Sequence, residues 1–122
     1  MKVLIIDDSE LVCDRLCAML TELGRVEVEQ AHQTGQAIEA LRQGLPEVVI
    51  LDLILPDGAS FQLIRYAKSV DPGITVIVLT NYAFSSYRRL ALESGADYFF
   101  DKSSEFEQAF SIVQHLTDGA PV

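Results

Sequence analysis

At 122 residues, 49% of them hydrophobic, the chain is long enough for one domain with its own core and too short for two. Nine Lys and Arg against 18 Asp and Glu leave a formal charge of -9, which repels a phosphate backbone and excludes nucleic acid as an expected direct partner. The amino-terminal apolar run stops at Asp7 and Asp8, too soon for a signal segment or a membrane span, so the expected location is cytoplasmic and no membrane partner is expected.

Short apolar runs then alternate with amphipathic stretches. Lys2 to Ile6 reads as a strand and Ser9 to Leu23 as the helix after it. In that helix Val12, Leu16, Met19 or Leu20 and Leu23 recur at helical spacing and should face the sheet, leaving Glu10, Asp14 and Glu22 in water. Cys13 and Cys17 sit one turn apart on it, an arrangement unsuited to a disulfide and without further ligands for a metal. They read as small apolar side chains. Val26 to Ala31 and Thr34 to Gln43 form the second strand and helix, Val48 to Leu51 and Ala59 to Ser69 the third. Thr75 to Leu79 with Phe84 to Ser94, and Tyr98 to Phe100 with Ser103 to Leu116, complete five pairs. Ser9, Thr34 and Ser103 or Ser104 are candidate N-caps, and Gly24, Gly44 and Gly95 fall where helices should stop.

Strict alternation implies right-handed crossovers and a parallel sheet with helices on both faces. The expectation is an α/β, doubly wound five-stranded sheet of order 2-1-3-4-5 with five helices, whose switch point lies between strands one and three. One domain over 1–122 is expected, with its core in 2–116 and a fraying tail over 117–122.

Polar chemistry sits at the carboxyl ends of four of these runs: Asp7 and Asp8 after the first, Asp52 after the third, Thr80 after the fourth and Lys102 after the fifth. Ligands bind at that edge of an open parallel sheet. Crowded carboxylates repel one another and favour a hard cation, Mg2+ or Mn2+, with Asp8 and Asp52 as direct ligands and Asp7 acting through water. A carboxylate beside a metal can attack phosphorus in line, which makes Asp52 the candidate nucleophile. Lys102 and Thr80 would compensate charge on the phosphoryl oxygens, helped by the backbone N–H groups of Ile54 and Asn81.

These positions, together with Pro56-Asp57-Gly58 and Gly95-Ala96-Asp97, resemble the response regulator receiver domain of two-component signalling, a flavodoxin-like fold, over Lys2 to about Leu116. The resemblance implies a phosphoprotein of a phosphorelay, not a conventional enzyme, that accepts a phosphoryl group on Asp52 from a histidine kinase or histidine phosphotransfer protein. It adds the Ile54 carbonyl as a metal ligand and Thr80 with Phe99 as switch residues. It also implies output through a downstream protein target or a homodimer on the face of the fourth helix, fifth strand and fifth helix, where Tyr87, Arg88, Arg89, Phe106, Glu107 and Gln108 stand.

The chain departs from the family pattern at Lys102-Ser103, where receivers carry proline after the lysine, and at Asn81, where a smaller residue is common. Ile54 and Tyr82 are large enough to shield an acyl phosphate, so slow dephosphorylation is expected. Two other readings stay open: a metal-dependent phosphotransferase or phosphatase on a free substrate, and a flavodoxin-like ligand-binding module. The first lacks a second acid two residues after Asp52, where Ile54 stands, and the second lacks a glycine-rich phosphate loop after the first strand.

Overall fold

In the computed structural model, which describes residues 1–118, the elements run β1 (Lys2–Ile6), α1 (Glu10–Thr21), β2 (Glu27–Ala31), α2 (Thr34–Gly44), β3 (Val48–Leu51), β4 (Ile54–Leu55), β5 (Gly58–Ala59), α3 (Phe61–Val70), β6 (Thr75–Thr80), α4 (Ser85–Glu93), β7 (Tyr98–Asp101) and α5 (Phe106–Thr117). Five strands pair in parallel in the order β2-β1-β3-β6-β7. With the two-residue strands set aside, this is the expected order 2-1-3-4-5. The short strands β4 and β5 form an antiparallel ladder, Ile54 opposite Ala59 and Leu55 opposite Gly58. Gly58 closes that turn at φ +123°, a conformation that side chains rarely adopt.

Period-two alternation along the central strands divides the core into two layers. Val3 and Ile5 of β1, Val48 and Ile50 of β3, and Ile77 and Leu79 of β6 pack on one face with Cys13, Leu16 and Leu20 of α1 and Ala109 and Val113 of α5. Leu4 and Ile6, Val49 and Leu51, and Val76 and Val78 turn the other way, against Ala37 and Leu41 of α2, Ile64 and Ala67 of α3, and Ala91 of α4. Because both faces of these strands are covered, their sequences read as unbroken apolar runs. The register sets Ile6 beside Leu51 and Leu51 beside Val78, so β1, β3 and β6 deliver their next residues to one edge.

Helix ends follow local chemistry in part. Ser9 caps α1, its Oγ accepting from Val12 N at 3.2 Å. Thr34 is instead the first residue of α2, after Gln33, and its hydroxyl donates to Asp57 Oδ1 at 2.8 Å. Neither Ser103 nor Ser104 caps α5, which starts later behind Glu105. Ser103 is held by Asp101, to which its N and Oγ donate at 2.9 and 2.6 Å. Both cysteines are free thiols, Cys13 buried and Cys17 half-buried. Thr117 ends α5, and residues 119–122 of the expected tail lie outside the described residues. Among the described residues no helix is long and apolar enough to cross a membrane.

Candidate functional site

The ladder hydrogen bonds continue one residue past two strands. Asp7 N donates to Ala31 O at 3.0 Å and Asp52 N to Ile6 O at 2.8 Å, which fixes both backbones at the sheet edge between β1 and β3. Asp7 and Asp52 are buried, at 3% and 7% exposure, whereas Asp8 faces solvent. One carboxylate oxygen from each of the three lies within 4.8 Å of the others.

Lys102 reaches this edge from the end of β7. Its Nζ donates to Asp7 Oδ2 at 2.7 Å and to Asp52 Oδ2 at 3.1 Å. Its backbone N donates to Thr80 O at 2.8 Å, and Thr80 pairs with Asp101 in the last rung between β6 and β7. The other oxygen of Asp7 accepts from Ser9 N at 2.9 Å, while Ile54 N approaches Asp52 Oδ1 at 3.4 Å. The Lys102–Ser103 peptide bond is trans, as no cis bond occurs among the described residues.

Burial, with the charge of Asp7 adding to it, pushes the Asp52 carboxyl above its ordinary value, while Lys102 and the Thr80 hydroxyl restrain the rise. Burial works against the Lys102 charge, yet the hydrogen bond to Asp7 and the charges of Asp52 and Asp7 outweigh it, and its pKa is raised. The three acids and one cation thus leave a surplus of negative charge at the edge. Such hard oxygen donors, clustered and under-compensated, fit a divalent cation.

A cleft of about 400 Å³ opens over these groups, lined by Asp8, Asp52, Ile54, Asn81, Tyr82 and Lys102 among others. Thr80 is fully buried beneath it, and its Oγ1 accepts from Tyr82 N at 3.1 Å. Phe99 is 4% exposed, with the Arg88 guanidinium 5.9 Å from its ring and Arg88 Nη1 donating to its carbonyl at 3.4 Å.

The structure therefore gathers Asp7, Asp8, Asp52, Ile54, Asn81 and Lys102 around one cleft, with Thr80 just below its surface and Phe99 in the core. It removes Phe106 from the expected output surface. That ring is 8% exposed and lies under the Arg15 guanidinium, 4.2 Å from its centroid. Tyr87 is half-buried between Phe61 and Phe84, at centroid distances of 5.9 and 5.4 Å. The apolar exposure on this side comes from Tyr82, Phe84, Leu90 and Leu92.

Sequence reasoning missed Ser60. It is buried, and its Oγ donates to the carbonyls of Asp52 and Leu53 at 2.9 and 2.8 Å, pinning the chain that leaves the nucleophile candidate. The expected third helix began at Ala59 and so took in Ser60, whereas α3 starts at Phe61, and nothing in the pattern singled the serine out. The Asp101–Ser103 contact did have a signal, since Asp followed two residues later by Ser is a common turn pattern.

The family model described as the response regulator receiver domain matches residues 3–114. The virulence transcriptional regulatory protein PhoP of Salmonella typhimurium strain LT2 is 33% identical over 116 residues, covering 95% of this chain and 51% of PhoP. The chain thus spans about half the length of the curated relatives it matches. A response regulator from Burkholderia pseudomallei, solved with a phosphorylated aspartic acid, a calcium ion and citrate, superposes with a TM-score of 0.84 at 28% identity, covering 90% of this chain and 64% of that one. A CheY-like receiver domain protein from Methanospirillum hungatei superposes with a TM-score of 0.87 at 25% identity, covering 97% and 94% of the two chains.

Proposed function

Since this chain belongs to the response regulator receiver domain family, we propose that Asp52 is its phosphoacceptor and that Asp7, Asp8, Asp52 and the Ile54 carbonyl hold Mg2+ or Mn2+. The observation that carries this reading is the bridge from Lys102 Nζ to Asp7 and Asp52, at 2.7 and 3.1 Å, beneath an open cleft. A buried carboxylate with one fixed cation on its flank can meet a phosphoryl group whose oxygens need that cation. The bound metal would neutralise charge on the phosphoryl oxygens that Lys102 does not reach.

An Asp52 oxygen would bond to phosphorus as the donor's bond to phosphorus breaks, and that electron pair leaves with the donor, the imidazole nitrogen of a phosphohistidine. Lys102 would move from carboxylate to phosphoryl oxygen with little change in position. Thr80 would turn its hydroxyl proton to the phosphoryl group, and Phe99 would repack as Thr80 shifts. Ile54 and Tyr82 at the cleft mouth would slow water's attack on the acyl phosphate.

The partners in this reading are a histidine kinase or phosphotransfer protein upstream, and a protein target or second copy on the α4, β7 and α5 face downstream. The site is cytoplasmic, the single domain acts as a signalling switch, and its charge of -9 disfavours direct contact with nucleic acid. Ile54, apolar and two residues after Asp52, supplies no acid or base for turnover of a free substrate. Incubation with a small acyl phosphate and Mg2+, read by intact mass, should add one phosphoryl group to the wild type and none to Asp52→Asn. Label persisting in that variant would refute the assignment.

A further inference from the structure

Lys102 sits at the tip of a turn whose ends are tied to one residue. Asp101 Oδ1 accepts from Ser103 N at 2.9 Å and from Ser103 Oγ at 2.6 Å. The Asp101 carbonyl accepts from Glu105 N at 2.7 Å and Ser104 N at 3.3 Å. Asp101 N, in return, donates to Glu105 Oε1 at 3.0 Å. All three polar groups of Asp101, its N–H, carbonyl and carboxylate, thus bind the residues just beyond Lys102. On the other side, Lys102 N is anchored to Thr80 O at 2.8 Å.

We propose that Asp101 is a positioning residue for Lys102, clamping the 101–105 turn so that the ammonium is aimed at Asp7 and Asp52. The inference rests on the proposed phosphoacceptor site and deepens it, because it concerns how that site's lysine is held. Lys side chains are long and freely rotating, so the direction of the backbone at the stem decides which oxygens Nζ can reach. Here the trans Lys102–Ser103 bond has no proline ring to fix it, and the Asp101 carboxylate takes both donors of Ser103 instead. The Ser103 hydroxyl and N–H hold the Asp101 carboxyl below its ordinary value, so it stays a charged acceptor throughout the neutral range.

Asp101 does not line the cleft, and its side chain acts on the turn that carries Lys102, while its pairing with Thr80 is through the backbone and survives side-chain substitution. Two readouts test this on Asp101→Ala, Asp101→Asn, Lys102→Met and the Asp101→Ala/Lys102→Met pair. The first is acetylation of Lys102 by a soluble acylating reagent, followed by peptide mass spectrometry, which does not depend on phosphorylation. The Lys102 side chain is 11% exposed in the clamped structure, and Asp101→Ala should raise its labelling about five- to tenfold. The second is the rate of phosphorylation by a small acyl phosphate with Mg2+, which Asp101→Ala should slow by a similar factor. Asp101→Asn keeps an acceptor oxygen and should reverse most of both changes. In the Lys102→Met background Asp101→Ala should slow phosphorylation no further. If folded Asp101→Ala keeps wild-type Lys102 labelling, or slows phosphorylation equally with and without Lys102, the positioning role is overturned. A wild type that takes no phosphoryl group, while Lys102 labelling still responds to Asp101, would overturn the phosphoacceptor reading and leave the clamp standing.

Discussion

Lys102→Met should destabilise the metal-free protein, in a way that depends on pH. The substitution keeps an unbranched apolar stem and deletes the ammonium that lies 2.7 Å from Asp7 and 3.1 Å from Asp52, among side chains 11%, 4% and 8% exposed. Removing one partner of a buried ion pair costs about 3–5 kcal/mol. Asp52 can take up a proton and the cleft is open to water, which places this case near about 3 kcal/mol. For a chain of this length that corresponds to a fall in Tm of about 10 °C at pH 7 in chelator. Burial already raises the Asp52 carboxyl and Lys102 restrains it, so the variant's Asp52 rises further. A carboxyl raised on folding is harmless below its unfolded value, about 3.8, and destabilises as pH climbs through the folded value. The deficit should therefore be small near about pH 4 and grow toward neutrality. Lys102 itself has a raised pKa, so once the acids are ionised the stability it confers on the wild type is complete up to about 10.5 and is lost only above the folded value. Thermal melts of both proteins from acid to neutral pH, in chelator and then with Mg2+, measure these differences. A variant melting within about 1 °C of wild type at pH 7 in chelator would refute the claim that Lys102 neutralises the acids.

Asp52→Asn should act in the opposite direction, because it deletes a raised carboxyl while Lys102 keeps Asp7. Its metal-free Tm should exceed wild type at pH 7 and converge with it below about pH 4, where the carboxyl is protonated in both states. Added Mg2+ or Mn2+ should raise the wild-type Tm with occupancy, by the equivalent of about 2.7 kcal/mol at a hundredfold excess over Kd. Asp8→Ala should show no such rise, and an undiminished one would remove Asp8 from the ligand set. Burial and the neighbouring Asp7 push the Cys13 thiol up to about 12. An aromatic disulfide reagent at mildly alkaline pH should therefore leave Cys13 unmodified until denaturant is added, and prompt modification of both thiols in the folded protein would contradict its burial.

Much of the architecture was legible because buried parallel strands and amphipathic helices differ so sharply in composition. The bounds of β1 and β3 match the apolar runs residue for residue, and Asp52 and Thr80 each stand where such a run meets its first polar side chain, with Lys102 one residue further on, after Asp101. The β4 and β5 ladder was not legible. Two residues per strand leave no periodicity, and Pro56-Asp57-Gly58 signals only a turn. The start of α5 was placed too early because Ser103 and Ser104 look like caps, a signal that outweighed the Asp101-to-Ser103 turn pattern by which Asp101 takes the Ser103 donors. Phe106 looked like surface because its neighbours are polar, while it packs into the layer of Cys13, Leu16 and Val113 with Arg15, distant in sequence, over its ring. The types of group at the candidate site were readable, but not the choice of Asp7 as the nearer partner of Lys102, which depends on register and side-chain reach.

The bonds that define the candidate site span 95 and 50 residues of sequence, from Lys102 to Asp7 and to Asp52. They require β7 in place on β6, with β3 lying between β6 and β1. The sheet is held together by apolar rungs such as Leu4 beside Val49, Val49 beside Val76 and Val78 beside Phe99, all buried, whereas the three acids oppose its assembly by mutual repulsion. Any cation that relieves the repulsion therefore favours the docked sheet over its opened forms. Within β7 the route from the cleft to the surface is short. Lys102 and Phe99 are three positions apart on one chain, and the Phe99 carbonyl is held at 3.4 Å by Arg88 of α4. That contact ties β7 to the helix that carries the exposed side chains of Leu90 and Leu92.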